Sequence, residues 1–154
     1  GDMIVWPPDF RFTWSPRNFD VVRSCVALRA GLRPAATLRM DGTATYSAVR
    51  YDIPGGAQVQ YRPRVTYAAS FVWSPGAWSA DLRWHRIGER FPNGAGTNPR
   101  PAFSQLDVGL ERRLGEILGA RLQVNDLTDR RAQFIAGYPT PGRTLTATLN
   151  FQRP

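Results

Sequence analysis

The sequence predicts an all-β fold, an antiparallel up-and-down meander of about eight strands, and three observations predict it. Apolar and polar residues alternate with period two through nearly every segment, the repeat of a strand with two unlike faces. Helix signals are scarce, because 13 Pro and 14 Gly are scattered along the 154 residues. Short turns and long loops alternate along the chain, as in a meander whose turns gather at one end and loops at the other. A chain of this length is one ordinary domain's worth, and we treat residues 1–154 as a single β segment. With 42% apolar and 21% charged residues, disorder is not expected.

The first strand is partial. The second lies in RSCVALRAGL, where Val26, Leu28, Ala30 and Leu32 oppose Arg23, Cys25, Ala27, Arg29 and Gly31. The short turn RPAA at 33–36 leads into TLRMDGTATYSA, with Leu38, Met40, Ala44, Tyr46 and Ala48 against Arg39, Asp41, Thr43, Thr45 and Ser47. A long connection, 52–63, follows. In VTYAASFVW, Val65, Tyr67, Ala69, Phe71 and Trp73 oppose Thr66, Ala68, Ser70 and Val72. The turn SPG at 74–76 joins it to AWSADLRWHR, where Trp78, Ala80, Leu82 and Trp84 oppose Ser79, Asp81, Arg83 and His85. A second long loop, 87–102, comes next.

QLDVGLERRLGEILGARLQV, at 105–124, is the one stretch that allows a helix, because Leu, Glu and Arg favour one. Gly109, Gly115 and Gly119 interrupt it, and the period-two reading fits better. Leu106, Val108 and Leu110 alternate with Asp107, Gly109 and Glu111; a turn falls near Gly115 and Glu116; Ala120, Leu122 and Val124 then alternate with Arg121, Gln123 and Asn125. A third long loop, 126–142, precedes the last strand, with Leu145, Ala147, Leu149 and Phe151 on one side and Thr144, Thr146, Thr148 and Asn150 on the other.

The net charge is +8 and all 20 basic residues are Arg. They are spread without a dense cluster, so lumen-facing or solvated charge is expected rather than a nucleic-acid surface. A basic nucleic-acid-binding β-domain would show affinity falling steeply with salt. Cys25 is the single cysteine and His85 the single histidine, which leaves no disulfide framework and no thiol metal site. Asp81 and His85 share a strand face without a nucleophile beside them, so no catalytic residue is expected. GGAQ and PNGAGTNP lack the Lys and the strand-to-helix setting of a phosphate loop. Glu89, Asp126 and Asp129 are too sparsely spaced for a hard-cation site. No metal and no cofactor is expected. Arg130, Arg131, Tyr138 and Arg143 are the loop candidates for ligand binding, the arginines for an anionic ligand or a lipopolysaccharide phosphate; the simpler expectation is that these arginines pair with Asp126 and Asp129.

There is no apolar run of about 18 residues and hence no expected transmembrane helix. GDMIVWPPDF lacks the features of a signal peptide, so the chain is expected to be cytoplasmic, a mature product or a piece of something larger. Two β architectures compete. A soluble β-sandwich or small barrel, binding carbohydrate or protein, would bury its apolar face. A membrane barrel turns it to lipid. Segment lengths near the ~9–11 residues of a tilted membrane strand, aromatics at segment ends (Trp73 and Trp78; Tyr46, Tyr51 and Tyr61) and the turn-loop asymmetry favour the barrel. Leu28, Tyr67, Leu82, Leu110, Leu122, Leu149 and Phe151 are then lipid-facing.

The stretch NDLTDRRAQFIAGYPTPGRTLTATLNF, at 125–151, resembles the C-terminal end of TonB-dependent outer-membrane receptors through Asn125, Asp126, Leu127, Asp129, Tyr138, Pro139, Pro141, Gly142, Arg143 and Phe151. Within that family it is most similar to the vitamin B12 receptor branch. DMIVWPPDFRFTWSPRNFD resembles an earlier strand and loop of such barrels, and GERFPNGAGTNPRPAFSQLDVGLERRL the loop and strand before the last hairpin. The resemblance implies an outer-membrane location in a Gram-negative type envelope and uptake of a corrinoid or iron chelate. It implies as partners outer-membrane lipid, the remaining barrel strands or a second chain, and the TonB system through a plug domain that these residues do not include. No nucleic-acid partner is implied. Such transporters have ~22 strands, so these strands form part of a barrel or close as a small one. Gln152, Arg153 and Pro154 follow Phe151, where the family ends on the aromatic.

Overall fold

The computed structural model describes residues 2–5, 17–135 and 137–151. The expected N-terminal loop falls largely in 6–16, and Gln152, Arg153 and Pro154 also lie outside the described residues. Every regular element is a strand: β1 (Asp2–Val5), β2 (Arg17–Ala35), β3 (Leu38–Tyr51), β4 (Val65–Trp73), β5 (Trp78–Ile87), β6 (Phe103–Arg113), β7 (Leu118–Asn125), β8 (Gln133–Ile135), β9 (Tyr138–Pro139) and β10 (Thr144–Phe151). Stretch 105–124 is therefore two strands, and the turn between them contains Gly115 at φ 87°, a conformation only Gly adopts freely. The helix allowed by its composition does not form.

Eight strands make one antiparallel sheet in the order β1-β2-β3-β4-β5-β6-β7-β10. The meander is the expected one, with one addition: the third long loop contains the small hairpin β8–β9, which is too short to show a period in sequence. At the short-turn end, Ala35 pairs with Leu38, and a register shift between Leu32 and Ala35 accommodates Pro34, which cannot donate to a ladder. Among the described residues β1 pairs only with β2 and β10 only with β7, so the sheet is an open arc with two free edges. Among the described residues the only other sheet is the two-stranded β8–β9 hairpin of the third loop, which makes no sandwich with the eight-stranded one, and β1 does not pair with β10.

Register decides what each face carries. Leu28 pairs with Ala44, Ala44 with Tyr67, Phe71 with Leu82, Leu82 with Val108, Leu110 with Leu122 and Leu122 with Ala147, so the apolar sets of all these strands fall on one face. That face is uncovered: Leu28 is 70% exposed, Leu149 63% and Phe151 76%. From β2 to β10, its charged side chains, Asp20, Arg50, Arg86 and Arg112, all lie near strand ends. The opposite face carries charge at mid-strand. There Arg121 bonds Asp81 at 2.5 Å and Glu111 at 3.4 Å, and Arg83 approaches Asp81 at 3.3 Å.

Asp81 and Arg121 sit on β5 and β7 and meet across β6, over Gly109. A Cβ at Gly109 would lie 2.5 Å from Asp81 Oδ1 and would collide with the Arg121 guanidinium. Gly109 is thus a close-approach glycine. Gly119, on the same face of β7, has no neighbour nearer than 3.9 Å to such a Cβ. Gly109→Ala is expected to destabilise the folded protein by about 1–3 kcal/mol by overpacking a nearly buried ion pair. Gly119→Ala should stay within ~0.5 kcal/mol. Urea unfolding of both variants in detergent micelles measures the difference, and equal effects would remove the close-approach role.

Candidate functional site

The long loops 52–64, 88–102 and 126–143 share one end of the sheet, and they are bonded to one another. Tyr61 N donates to Phe91 O at 2.8 Å, tying the first loop to the second. Arg90 Nη2 donates to Gln133 O at 3.3 Å, tying the second to the third. Val59, fully buried, anchors the first loop, its N–H donating to Val49 O at 3.1 Å. Among the described residues the buried apolar side chains are Val59 and Phe103, both at this end, so the core lies in the loop layer and not in the sheet.

The NDLTD motif is built into this layer as a knot. Asn125 Nδ2 donates to Thr144 Oγ1 at 3.2 Å. Asp126, buried and at φ 50°, receives the Thr128 hydroxyl on Oδ1 at 3.0 Å, while its own N–H donates to Asp107 Oδ1 at 2.8 Å. Asp129 accepts the Arg143 backbone N–H at 2.8 Å, next to Gly142 at φ 79°. The motif therefore fastens the two ends of the last loop together through one side chain-to-side chain bond, Asn125 to Thr144, and one side chain-to-backbone bond, Asp129 to Arg143. It uses both carboxylates. The expected ion pairs of Arg130, Arg131 and Arg143 with Asp126 and Asp129 do not form: among the described residues the ion pairs are those of Arg39, Arg83 and Arg121.

Of the four loop candidates, the structure brings two together. Arg130 and Arg131 line a cleft of about 480 Å³ with Arg90, Arg100, Phe103 and Gln133. Tyr138 is 74% exposed on β9 and is not part of that lining, and Arg143 contributes its backbone to the knot instead. Sequence reasoning missed Arg90 and Arg100. Arg90 is 2% exposed, with its guanidinium 4.9 Å from the centre of the Phe103 ring and 5.4 Å from that of Phe134; the two rings meet edge-on at 5.1 Å. Arg90 Nη2 also donates to Pro101 O at 3.2 Å, but Nε and Nη1 find no acceptor, and neither does Nε of Arg100. Burial, and then the charge of Arg100, holds the Arg90 pKa below its ordinary value. GERFPN gives no periodic signal that would mark its Arg as buried.

Asp81 is held by Arg121 and Arg83, not by His85. Asp126 and Asp129 are spent on the knot, and among the described residues no group of three or more His, Cys, Asp or Glu could hold a metal ion.

No protein-family model matches the sequence, and no curated protein matches it. Solved structures do. The copper transporter OprC superposes with a TM-score of 0.79 at 18% identity, over 97% of this chain and 26% of its own. The FrpB iron transporter from Neisseria meningitidis gives 0.71 at 18% identity, over 97% and 26%. The pyoverdine outer membrane receptor FpvA from Pseudomonas aeruginosa PAO1 gives 0.72 at 11% identity, over 99% and 25%. These neighbours are TonB-dependent outer-membrane receptors and transporters, not enzymes. This chain spans about a quarter of their length. Its all-β meander is the fold of a stretch of wall from an outer-membrane receptor barrel.

Proposed function

We propose that residues 1–154 are the C-terminal part of the barrel wall of a TonB-dependent outer-membrane transporter, and that its cargo is a metal chelate of the iron-chelate kind. The observation that carries this reading is the charge pattern of the uncovered apolar face, which is free of charge along the middle of the strands from β2 to β10 and charged only toward their ends. A face of that kind suits a hydrocarbon layer bounded by two aqueous interfaces. Leu28, Tyr67, Leu82, Leu110, Leu122, Leu149 and Phe151 then face lipid. Trp73 and Trp78 stand at the turn end, with Tyr67 and Trp84 toward the loop end; each pair is separated by roughly 20 Å along its strand at ~3.4 Å per residue. Such aromatics suit the interfaces on either side.

An open sheet edge is not tolerated in lipid. The edges β1 and β10 are therefore met by further strands of the same barrel or by a second chain. The loops 52–63, 87–102 and 126–142 face the outside and meet the cargo. Energy coupling belongs to a plug domain and the TonB system, so these residues serve as wall and loop scaffold. A metal chelate is favoured because the neighbours include a copper transporter and an iron transporter; a corrinoid, the other solute class implied by the sequence resemblance, is the second arm of the test.

Leu82→Arg, at mid-strand on the apolar face, should cost about 2–4 kcal/mol in a bilayer and abolish the heat-modifiable folded species on gels. Ser70→Arg, on the polar face, should leave it intact. If Leu82→Arg is as well folded as Ser70→Arg, the apolar face does not meet lipid. Cargo is read separately. Cells lacking the gene should lose accumulation of a radiolabelled ferric chelate while cyanocobalamin uptake is unchanged. Loss of cyanocobalamin uptake alone would assign the corrinoid, and no change in either would leave the location standing without the transport role.

A further inference from the structure

The arginine cleft at the loop end holds four guanidinium groups and no carboxylate. Arg90 and Arg100 form its inner part, and Arg130 and Arg131 stand exposed at its rim. Like charges gathered without a counter-ion repel, and a buried cation loses its hydration as well. Two carboxylates of the same loop, Asp126 and Asp129, accept bonds from Thr128 and the Arg143 backbone, and neither forms an ion pair with these arginines. Arg90 is held instead between two aromatic rings and two carbonyl oxygens, which leaves Nε and Nη1 without acceptors. A buried polar group left in this state points to an acceptor that the protein itself does not supply.

From these observations we propose that the Arg90–Arg100–Arg130–Arg131 cleft binds a soluble, multiply charged oxyanion of the phosphate class, either free or as the phosphate group of a small solute. Arg is suited to it, because its planar fork meets two oxygens at once and its charge does not depend on pH in the working range. Access is from the aqueous side. Phe103, the cleft's inner wall, continues the row of Gln105 and Asp107 on the polar face of β6, so the cleft does not open onto the apolar face. That placement favours a dissolved anion over a lipid headgroup. A second basic hollow, lined by Arg23, Arg62 and Arg64, differs in kind: Arg64 is bonded to Gln58 and Arg23 to Ser47. It serves as the internal control. The proposal does not rest on the transport reading, since it needs only the second and third loops, joined by the Arg90–Gln133 bond.

The test is isothermal titration of the detergent-solubilised protein with inorganic phosphate and with pyrophosphate at low ionic strength. Wild-type protein should bind in the ~mM range or tighter, more weakly as salt rises. Arg130→Gln/Arg131→Gln, both at exposed positions, should lower affinity about tenfold or more, the worth of one charge-assisted contact. Arg62→Gln/Arg64→Gln should leave it unchanged. Circular dichroism and gel heat-modifiability confirm that each variant is folded. Absence of binding to both anions overturns the proposal. So does equal loss in the two double variants, which would mean that only the general positive field is felt. Binding of lipopolysaccharide micelles with no response to either soluble anion also overturns it and assigns the surface to a lipid headgroup.

Discussion

Cross-strand register is the constraint on which the rest of this protein depends. A strand's side chains alternate, so a slip of one residue moves its whole apolar set to the other face. Here a slip of β6 alone would set Leu106, Val108 and Leu110 among Asp81, Arg83 and Gln123, and would put Asp107 and Glu111 among Leu82, Trp84 and Leu122. The ion triad of Asp81, Arg121 and Glu111 holds the same register from the polar side, because Arg121 reaches Asp81 only where β6 presents Gly109 between them. Backbone ladder, apolar stripe and ion triad thus agree on one alignment. That agreement is what allows a sheet with no second layer to specify a single pairing.

The consequence is an unusual distribution of packing. A soluble domain buries its apolar residues against a second layer, but here many large apolar residues of the sheet stand open, and among the described residues the buried apolar side chains, Val59 and Phe103, lie at the loop end. Arg90 stacks with Phe103 and the half-exposed Phe134, Val59 is buried separately in the first loop, and hydrogen bonds tie the three loops together. The two ends of each long strand therefore meet different requirements. The turn end has to reverse the chain in two to four residues, which Pro34, Gly76 and Gly115 make possible. The loop end builds a surface with its own interior, the place where a site can be made without disturbing the ladders.

How much of this was legible in the sequence follows from the same physics. Period-two alternation reports sidedness directly, so the faces of β2 to β7 and β10 were readable, including the two strands inside a stretch rich in Leu, Glu and Arg, once Gly115 marked the turn. Several strands run past the alternation that announces them: β2 spans Arg17–Ala35, beyond 23–32 and into the expected turn at 33–36, β3 continues to Tyr51 and β5 to Ile87, because strand ends carry no clean pattern. The hairpin β8–β9 was not readable, since three residues and two residues cannot display a period. The site was half legible. Arg130 and Arg131 could be named from their place in a loop, but Arg90 and Arg100 become their neighbours only when two loops separated by two strands come together. No spacing in one sequence records that meeting.

The same distinction explains why the most recognisable motif is not where the site's charge resides. Asn125, Asp126, Asp129 and Arg143 are bound to specific side chains and backbone groups of the knot by short, oriented hydrogen bonds, and Gly142 supplies the positive φ beside them. Such bonds need fixed residue types at fixed offsets, which is what makes a motif visible. A positive field has no such need. Arg62, Arg64, Arg90, Arg100, Arg130 and Arg131 are distributed over three loops, and each adds to the potential at the loop end wherever its sequence neighbours place it. Asp126 and Asp129 are held in place by the knot and form no ion pair with these arginines. By fixing the loop's shape, the motif also leaves its arginines unpaired, so the local architecture and the excess charge at the loop end have one origin.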